Sequence, residues 1–352
     1  MKKATYLVTT SLITAMMVLG SCGLSMAGGT EILGAGATFP YPLYSKMFDV
    51  YGEQYAIKIN YQAIGSGGGI KQLAEKTVAF GGTDAFMTDE EIKAAGAPIV
   101  HIPTCLGAVV LAHNVPGNLE IRLTPQVVAD IFLGKITKWN DPQIVAVNPG
   151  VRLPDMAIVV VHRSDGSGTT FIFSDYLGKV SAEWKQKVGV GKSLNWPVGL
   201  GAKGNPGVAG LVKQLPGSLG YVELVYALQN KMSVARIANR AGNFVLPTIE
   251  SVSAAAAVTM PADTRVSITD TSAEDGYPIS GFTWLIVYRE QAYAGRSRED
   301  ALQLVKMLSW MIDEGQQFTE PLQYSPIPKE VAALADSIVA GITYQGTPLL
   351  AK

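Results

Sequence analysis

The chain has 352 residues, enough for two lobes at ordinary domain sizes, and 48% of them are hydrophobic and available to fill a core. Only 16% are charged and the formal net charge is −1. That balance excludes a basic field of the kind that draws in nucleic acid or an anionic membrane. An anionic ligand would have to be held by local dipoles and one or two charges.

The N-terminus reads as an export signal. Lys2 and Lys3 are followed by an apolar stretch over residues 6–20 that is too short to span a membrane. Ser25-Met26-Ala27 fits the small-x-small rule and would make residues 1–27 a signal peptide, cleaved after Ala27. Leu19-Gly20-Ser21-Cys22 has the form of a bacterial lipobox, which would place cleavage before Cys22 and lipidate it. Either route exports the protein.

Beyond it, strand-like runs alternate with helical patterns, which predicts an α/β fold with largely parallel sheets. Residues 41–55 read as a helix and 56–64 as a strand. A glycine run at 65–69 breaks the pattern before a helix restarts at 70–76, and 80–85 is a short buried strand. Thr88-Asp89-Glu90-Glu91 resembles a capped helix start. Residues 106–112 form an apolar strand, and Thr124-Pro125 opens a helix running to Phe132. Residues 158–161 are a strand, 199–210 a glycine-rich loop, 219–223 another strand, and 298–318 and 328–341 carry helical spacing. The segment 240–276 favours no element.

The mature chain keeps Cys105, plus Cys22 if anchored, so no structural disulfide is expected. His101, His113 and His162 are scattered without metal-ligand spacing, so neither a metal nor a cofactor is expected.

Three segments place a glycine turn with hydroxyls beside a helix start: Gly34-Ala35-Gly36-Ala37-Thr38-Phe39-Pro40, Gly65-Ser66-Gly67-Gly68-Gly69, and Asp165-Gly166-Ser167-Gly168-Thr169-Thr170. A helix N-terminus exposes unpaired N–H groups and a partial positive charge. Each alone is an ordinary capped helix start. Three together, one preceded by Arg163, describe an anion site, since a guanidinium matches a tetrahedral oxyanion in two-point geometry.

Enzyme patterns fail on the same residues. G-x-x-x-x-G-K-[ST] is absent, and G-x-S-x-G fails around Ser167 because Asp165 stands two before it. His162, at the end of a predicted strand, points away from the Arg163 face. Asp84, in Phe80-Gly81-Gly82-Thr83-Asp84-Ala85, reads either as a turn residue or as a hydrogen-bond acceptor. A carboxylate beside an anion is tolerable only where the ligand carries a proton, as phosphate does near neutral pH and sulfate does not. Asp165 is placed to hold Arg163 or to cap the helix that follows.

The segments GAGATFPYPLYSKMF, YQAIGSGGGIKQ, FGGTDA, LGKITKWNDP and HRSDGSGTTF, with WPVGLGAKGNPGVAG and GSLGYVE, occur in order from about Gly34 to Pro348. Together they resemble the phosphate-binding proteins of bacterial high-affinity phosphate ABC transporters, the PstS family. The resemblance implies a two-lobed periplasmic binding protein fold, type II-like, each lobe a mixed, mostly parallel sheet flanked by helices. Lobe I would comprise residues 28–107 and 284–352 and lobe II residues 108–283, with hinge crossings near 106–112 and 280–287.

The same resemblance assigns phosphate contacts to Thr38, the Phe39 amide, Ser66, Arg163, Ser167, Gly168 and Thr169, with Asp84 accepting the phosphate proton and Asp165 pairing with Arg163. It implies a monomeric periplasmic receptor that hands inorganic phosphate to an inner-membrane ABC permease with its ATPase subunits, and no enzymatic activity. Departures fall at His162, where the family often has arginine, and at Ser164, where a small apolar residue is common. The alternatives are a receptor for sulfate or molybdate and a secreted phosphohydrolase using Ser167 or Thr169.

Overall fold

The computed structural model describes residues 31–350; the export segment, with Cys22 and both cleavage sites, lies outside the described residues. The N-terminal half is built on a parallel triplet, β1 (Glu31–Gly36), β2 (Lys58–Ala63) and β3 (Phe80–Thr83), in the order 2-1-3. Parallel neighbours need a crossover. It is supplied by α1 (Tyr41–Tyr55), which buries Leu43, Tyr44, Met47, Phe48 and Tyr51 at helical spacing, and by α2 (Ser66–Ala74). The short α3 (Asp89–Ala94) follows, with the expected capping box between Thr88 and Glu91.

The strand anticipated over 106–112 is the far end of β4 (Ile99–His113), a 15-residue strand running straight through Pro103. Proline is unusual in a paired strand because it lacks the N–H donor. Here Thr104 is an extra residue in β4 between the pairs Pro103–Trp284 and Cys105–Thr283, so the missing donor falls beside a bulge. Beyond β4 come β5 (Arg122–Leu123), α4 (Pro125–Phe132, capped by Thr124) and α5 (Pro142–Ala146). Next are β6 (Val159–Arg163), α6 (Gly168–Val180), α7 (Ala182–Lys187), β7 (Leu200–Ala202), α8 (Gly204–Gln214) and β8 (Ser218–Glu223). Strands β8, β6 and β7 make a second parallel triplet. The chain continues through α9 (Leu224–Gln229), β9 (Ser233–Val234), β10 (Arg236–Ala238), β11 (Phe244–Val245) and α10 (Ile249–Ala255). It closes with β12 (Ser280–Tyr288), α11 (Arg298–Ile312), α12 (Lys329–Ala340) and a short hairpin of β13 (Thr343–Tyr344) and β14 (Thr347–Pro348).

The main sheet runs 2-1-3-12-4-8-6-7. Its two parallel triplets are joined by an antiparallel centre, in which β12 pairs with both β3 and β4. β4 pairs with β12 as far as Ala108 and with β8 from Val109 onward. That change of partner is where the two helix-flanked half sheets meet, giving the mixed α/β, two-lobed architecture.

Two expected loops are regular structure. The glycine run at 65–69 is mostly helix, because α2 begins at Ser66. A Cβ on Gly69 would lie 2.5 Å from Ala35 O, and one on Gly67 3.1 Å from Gly166 Cα. These glycines allow close approach, and tertiary packing overrides their poor helix propensity. Likewise 199–210 divides into β7 and the start of α8. The undecided 240–276 supplies β11 and α10, then turns. Cys105 is a free, buried thiol whose pKa burial pushes well above the ordinary range.

Candidate anion-binding site

Four helix N-termini converge where the two half sheets meet. Thr38 and Phe39 precede α1 at the end of β1, Ser66 opens α2, Ser167 caps α6, and Gly204 opens α8. In each case a strand runs into a tight turn and then a helix, so the first-turn amides of each helix face the junction. The first three starts are the glycine turns singled out in the sequence.

Ser66 Oγ accepts from Asp84 N at 3.2 Å and from Gly168 N at 3.1 Å, and lies 3.4 Å from Asp84 Oδ2. Gly67 N donates to Gly166 O at 2.9 Å, so α2 and the α6 turn meet backbone to backbone. Ser167 Oγ accepts from Thr170 N at 3.0 Å as the α6 cap. Thr38 is buried, and its carbonyl accepts from Tyr226 Oη at 2.5 Å. The Phe39 carbonyl accepts from Tyr324 Oη at 2.7 Å.

Arg163 ends β6 with its side chain 1% exposed. Its Nε donates to Asp165 Oδ1 at 2.7 Å and its Nη2 to Asp165 Oδ2 at 2.6 Å, a two-point pair that fixes the guanidinium plane. Nη1 donates to Thr169 Oγ1 at 3.2 Å. Of the two roles open to Asp165, holding Arg163 is the one the geometry adopts. Ser167 caps α6, while Asp165 accepts from Gly204 N at the head of α8 instead. Burial opposes the Asp165 charge, but Arg163 and the Gly204 amide outweigh it and hold the carboxyl below its usual range.

Asp84 follows β3 and is 2% exposed. Burial pushes its carboxyl up to about 7, against the opposing effects of the Thr283 bond, the Arg163 charge and Ser66. Oδ1 accepts from Thr283 Oγ1 at 3.0 Å, which leaves Oδ2 on the Ser66 and Gly168 side. Direct bonds thus join Ser66, Asp84 and Gly168, and join Arg163, Asp165 and Thr169, while Thr38, Phe39 and Ser167 stand at the starts of α1 and α6. His162 does not join them: its ring stacks on Trp196 with centroids 4.9 Å apart, and Nδ1 lies 3.0 Å from Arg163 O.

A model of the PBP superfamily domain matches residues 25–314. A phosphate-binding protein PstS of Xylella fastidiosa is 48% identical over 305 residues, covering 85% of this chain and 82% of the relative. The chain belongs to the PstS family. A second PstS, from Haemophilus influenzae, is 41% identical over 342 residues, 96% of this chain and 98% of that one. Among solved structures, the high-affinity periplasmic phosphate-binding protein PfluDING, bound with phosphate, superposes with a TM-score of 0.72 at 23% identity, over 88% of this chain and 93% of that one. A phosphate-binding protein from Stenotrophomonas maltophilia superposes with a TM-score of 0.66 at 19% identity, over 89% and 94% of the two chains. At those identities the structural likeness speaks for the fold.

In this PstS-family chain several site residues carried no signal in the sequence. Asn205, in the first turn of α8, bonds to both Thr38 and Thr169. Thr283 of β12 holds Asp84, and Tyr221 Oη accepts from Arg163 N at 3.0 Å. Glu223 ends β8 fully buried, with Oε2 accepting from Val225 N and lying 3.3 Å from Tyr324 Oη, whose proton goes to the Phe39 carbonyl. Burial drives its carboxyl well above the ordinary range. The GNPG turn after β7 was the one available pointer, since it repeats the strand–glycine–helix design of the other three.

Proposed function

We propose that this protein binds inorganic phosphate in the periplasm and delivers it to an inner-membrane phosphate ABC permease with its ATPase subunits. Thr38, the Phe39 amide, Ser66, Ser167, the Gly168 amide, which turns to the ligand from Ser66 Oγ, and Thr169 donate to the phosphate oxygens, and Arg163, held flat by Asp165, supplies the charge. The observation that carries this reading is Asp84, a 2%-exposed carboxyl set among donors. A ring of donors suits any tetrahedral oxyanion, but a carboxylate inside it suits one that still bears a proton. Phosphate meets that condition at neutral pH.

Lobe I comprises 28–107 with 284–352 and lobe II 108–283, closing over the ligand about the β4 and β12 crossings. The relatives' PstS names support the transport role and the absence of catalysis. His162, stacked on Trp196, offers Ser167 no base. The protein acts as a monomer after export, with residues 1–27 removed or Cys22 retained as a lipid anchor, and mass spectrometry of the mature N-terminus distinguishes these two.

Calorimetry with phosphate and with sulfate at pH 7 tests the function. Phosphate should bind tightly and sulfate weakly; comparable affinities overturn the role given to Asp84, and absence of phosphate binding overturns the reading itself.

A further inference from the structure

We infer that Asn205 is a positioning residue of this site, which commits the hydroxyls of Thr38 and Thr169 to donating. The inference rests on the phosphate-binding reading above. Asn205 is fully buried at the start of α8 and is separated from Thr38 by 167 positions and from Thr169 by 36. Its amide orientation is fixed from outside the site, because Oδ1 accepts from the backbone N of Glu223 at 2.9 Å, a group that can only donate. The amide nitrogen therefore faces the two threonines.

The bonds around each hydroxyl then settle its polarity. A hydroxyl has one proton to give and two lone pairs to receive. Thr38 Oγ1 accepts from Asn205 N at 3.2 Å and from Asn205 Nδ2 at 3.0 Å. Thr169 Oγ1 accepts from Asn205 Nδ2 at 3.1 Å and from Arg163 Nη1 at 3.2 Å. Both lone pairs are used in each case, and the capacity left to either oxygen is donation. A ligand atom at those two positions must accept, and it cannot hand its own proton to either threonine. A phosphate that arrives with a proton is thereby steered to place it on the Asp84 side. Asn205 sets specificity through the threonines without being a ligand itself.

The test is a coupling measurement by calorimetry with inorganic phosphate at pH 7, with thermal melts of each variant in phosphate-free buffer. Asn205→Ala should weaken phosphate about tenfold or more, the scale of lost charge-assisted donors. In a Thr38→Val/Thr169→Val background the same substitution should cost less than about threefold, because the hydroxyls it acts through are gone. Wild-type affinity in Asn205→Ala overturns the inference, and so does a loss undiminished in the valine background. Should the alanine variant fail to fold, Asn205→Asp keeps the volume and the bond to Glu223 N, and the same comparison reads the coupling. Failure of the wild type to bind phosphate would instead strike the functional reading, so the two failures are distinguishable.

Discussion

Ser66 Oγ lies 3.1 Å from the backbone nitrogen of Gly168, two residues 102 positions apart that belong to different half sheets. The contact is possible because Gly168 lacks a side chain. A Cβ there would stand 2.4 Å from Asp84 Oδ2 and 2.5 Å from Ser66 Oγ. Glycine is thus required by the closed arrangement, whereas the α6 helix itself would accept alanine.

Gly168→Ala is accordingly expected to fold and melt near the wild type while binding phosphate about 10- to 100-fold more weakly. That range corresponds to the ~1–3 kcal/mol that an extra methyl costs in a packed site. Calorimetry alongside a thermal melt checks it, and unchanged affinity would mean that phosphate is held in some more open arrangement.

Asp84→Asn replaces the acceptor Oδ2 with a group that can donate. Phosphate loses the partner for its proton and sulfate gains one, so the ratio of the two affinities should fall by about tenfold or more. Competition calorimetry at pH 7 measures the ratio directly, and an unaltered ratio would remove Asp84 from selectivity.

What could be read from the residues was local chemistry. Thr38, Ser66 and Ser167 each stand in a glycine turn beside a helix start, and that pattern is visible within six or seven residues. Arg163 and Asp165 are two apart, so their pairing was legible too. Asn205, Thr283 and Tyr324 enter through contacts 167, 199 and 285 positions away, where no short-range pattern exists to find them. The same reason explains the misread loops: Gly67 and Gly69 look like breakers until Gly166 and Ala35 are seen packed against them. Pro103 likewise sits in a strand beside a bulge in β4, where Thr104 is the extra residue between the pairs with Trp284 and Thr283.

Arg163→Lys isolates geometry from charge. The lysine keeps a cation at the site but loses the two-point pair with Asp165 and the bond to Thr169 Oγ1. A point charge on a flexible stem does not replace a fixed fork. Phosphate affinity should fall about 10- to 100-fold, within the ~1.5–3 kcal/mol of hydrogen bonds to charged groups. Calorimetry at two salt concentrations checks this: a full recovery at low salt would assign the arginine to charge alone.

The raised pKa of Asp84 predicts a stability signature in phosphate-free buffer. Between its ordinary value of 3.8 and about 7, the folded protein holds a proton on Asp84 that the unfolded chain has released. The contribution of this group to stability therefore falls as pH rises through that window and levels off above it. Glu223, also raised by burial, acts in the same direction. His101 and His113, lowered by burial to about 3 and about 4, act oppositely, because the unfolded chain takes up their protons first as pH drops below 6.5. The wild-type profile is a sum of opposing slopes, but the difference between Asp84→Asn and wild type cancels the two histidines and leaves of Glu223 only the part that the Asp84 charge contributes. The melting temperature of Asp84→Asn relative to wild type should climb from pH 4 to pH 7 and stay level to pH 9. A difference that is flat across the whole range would show that the Asp84 carboxyl titrates near its ordinary value and is not held in a dry site.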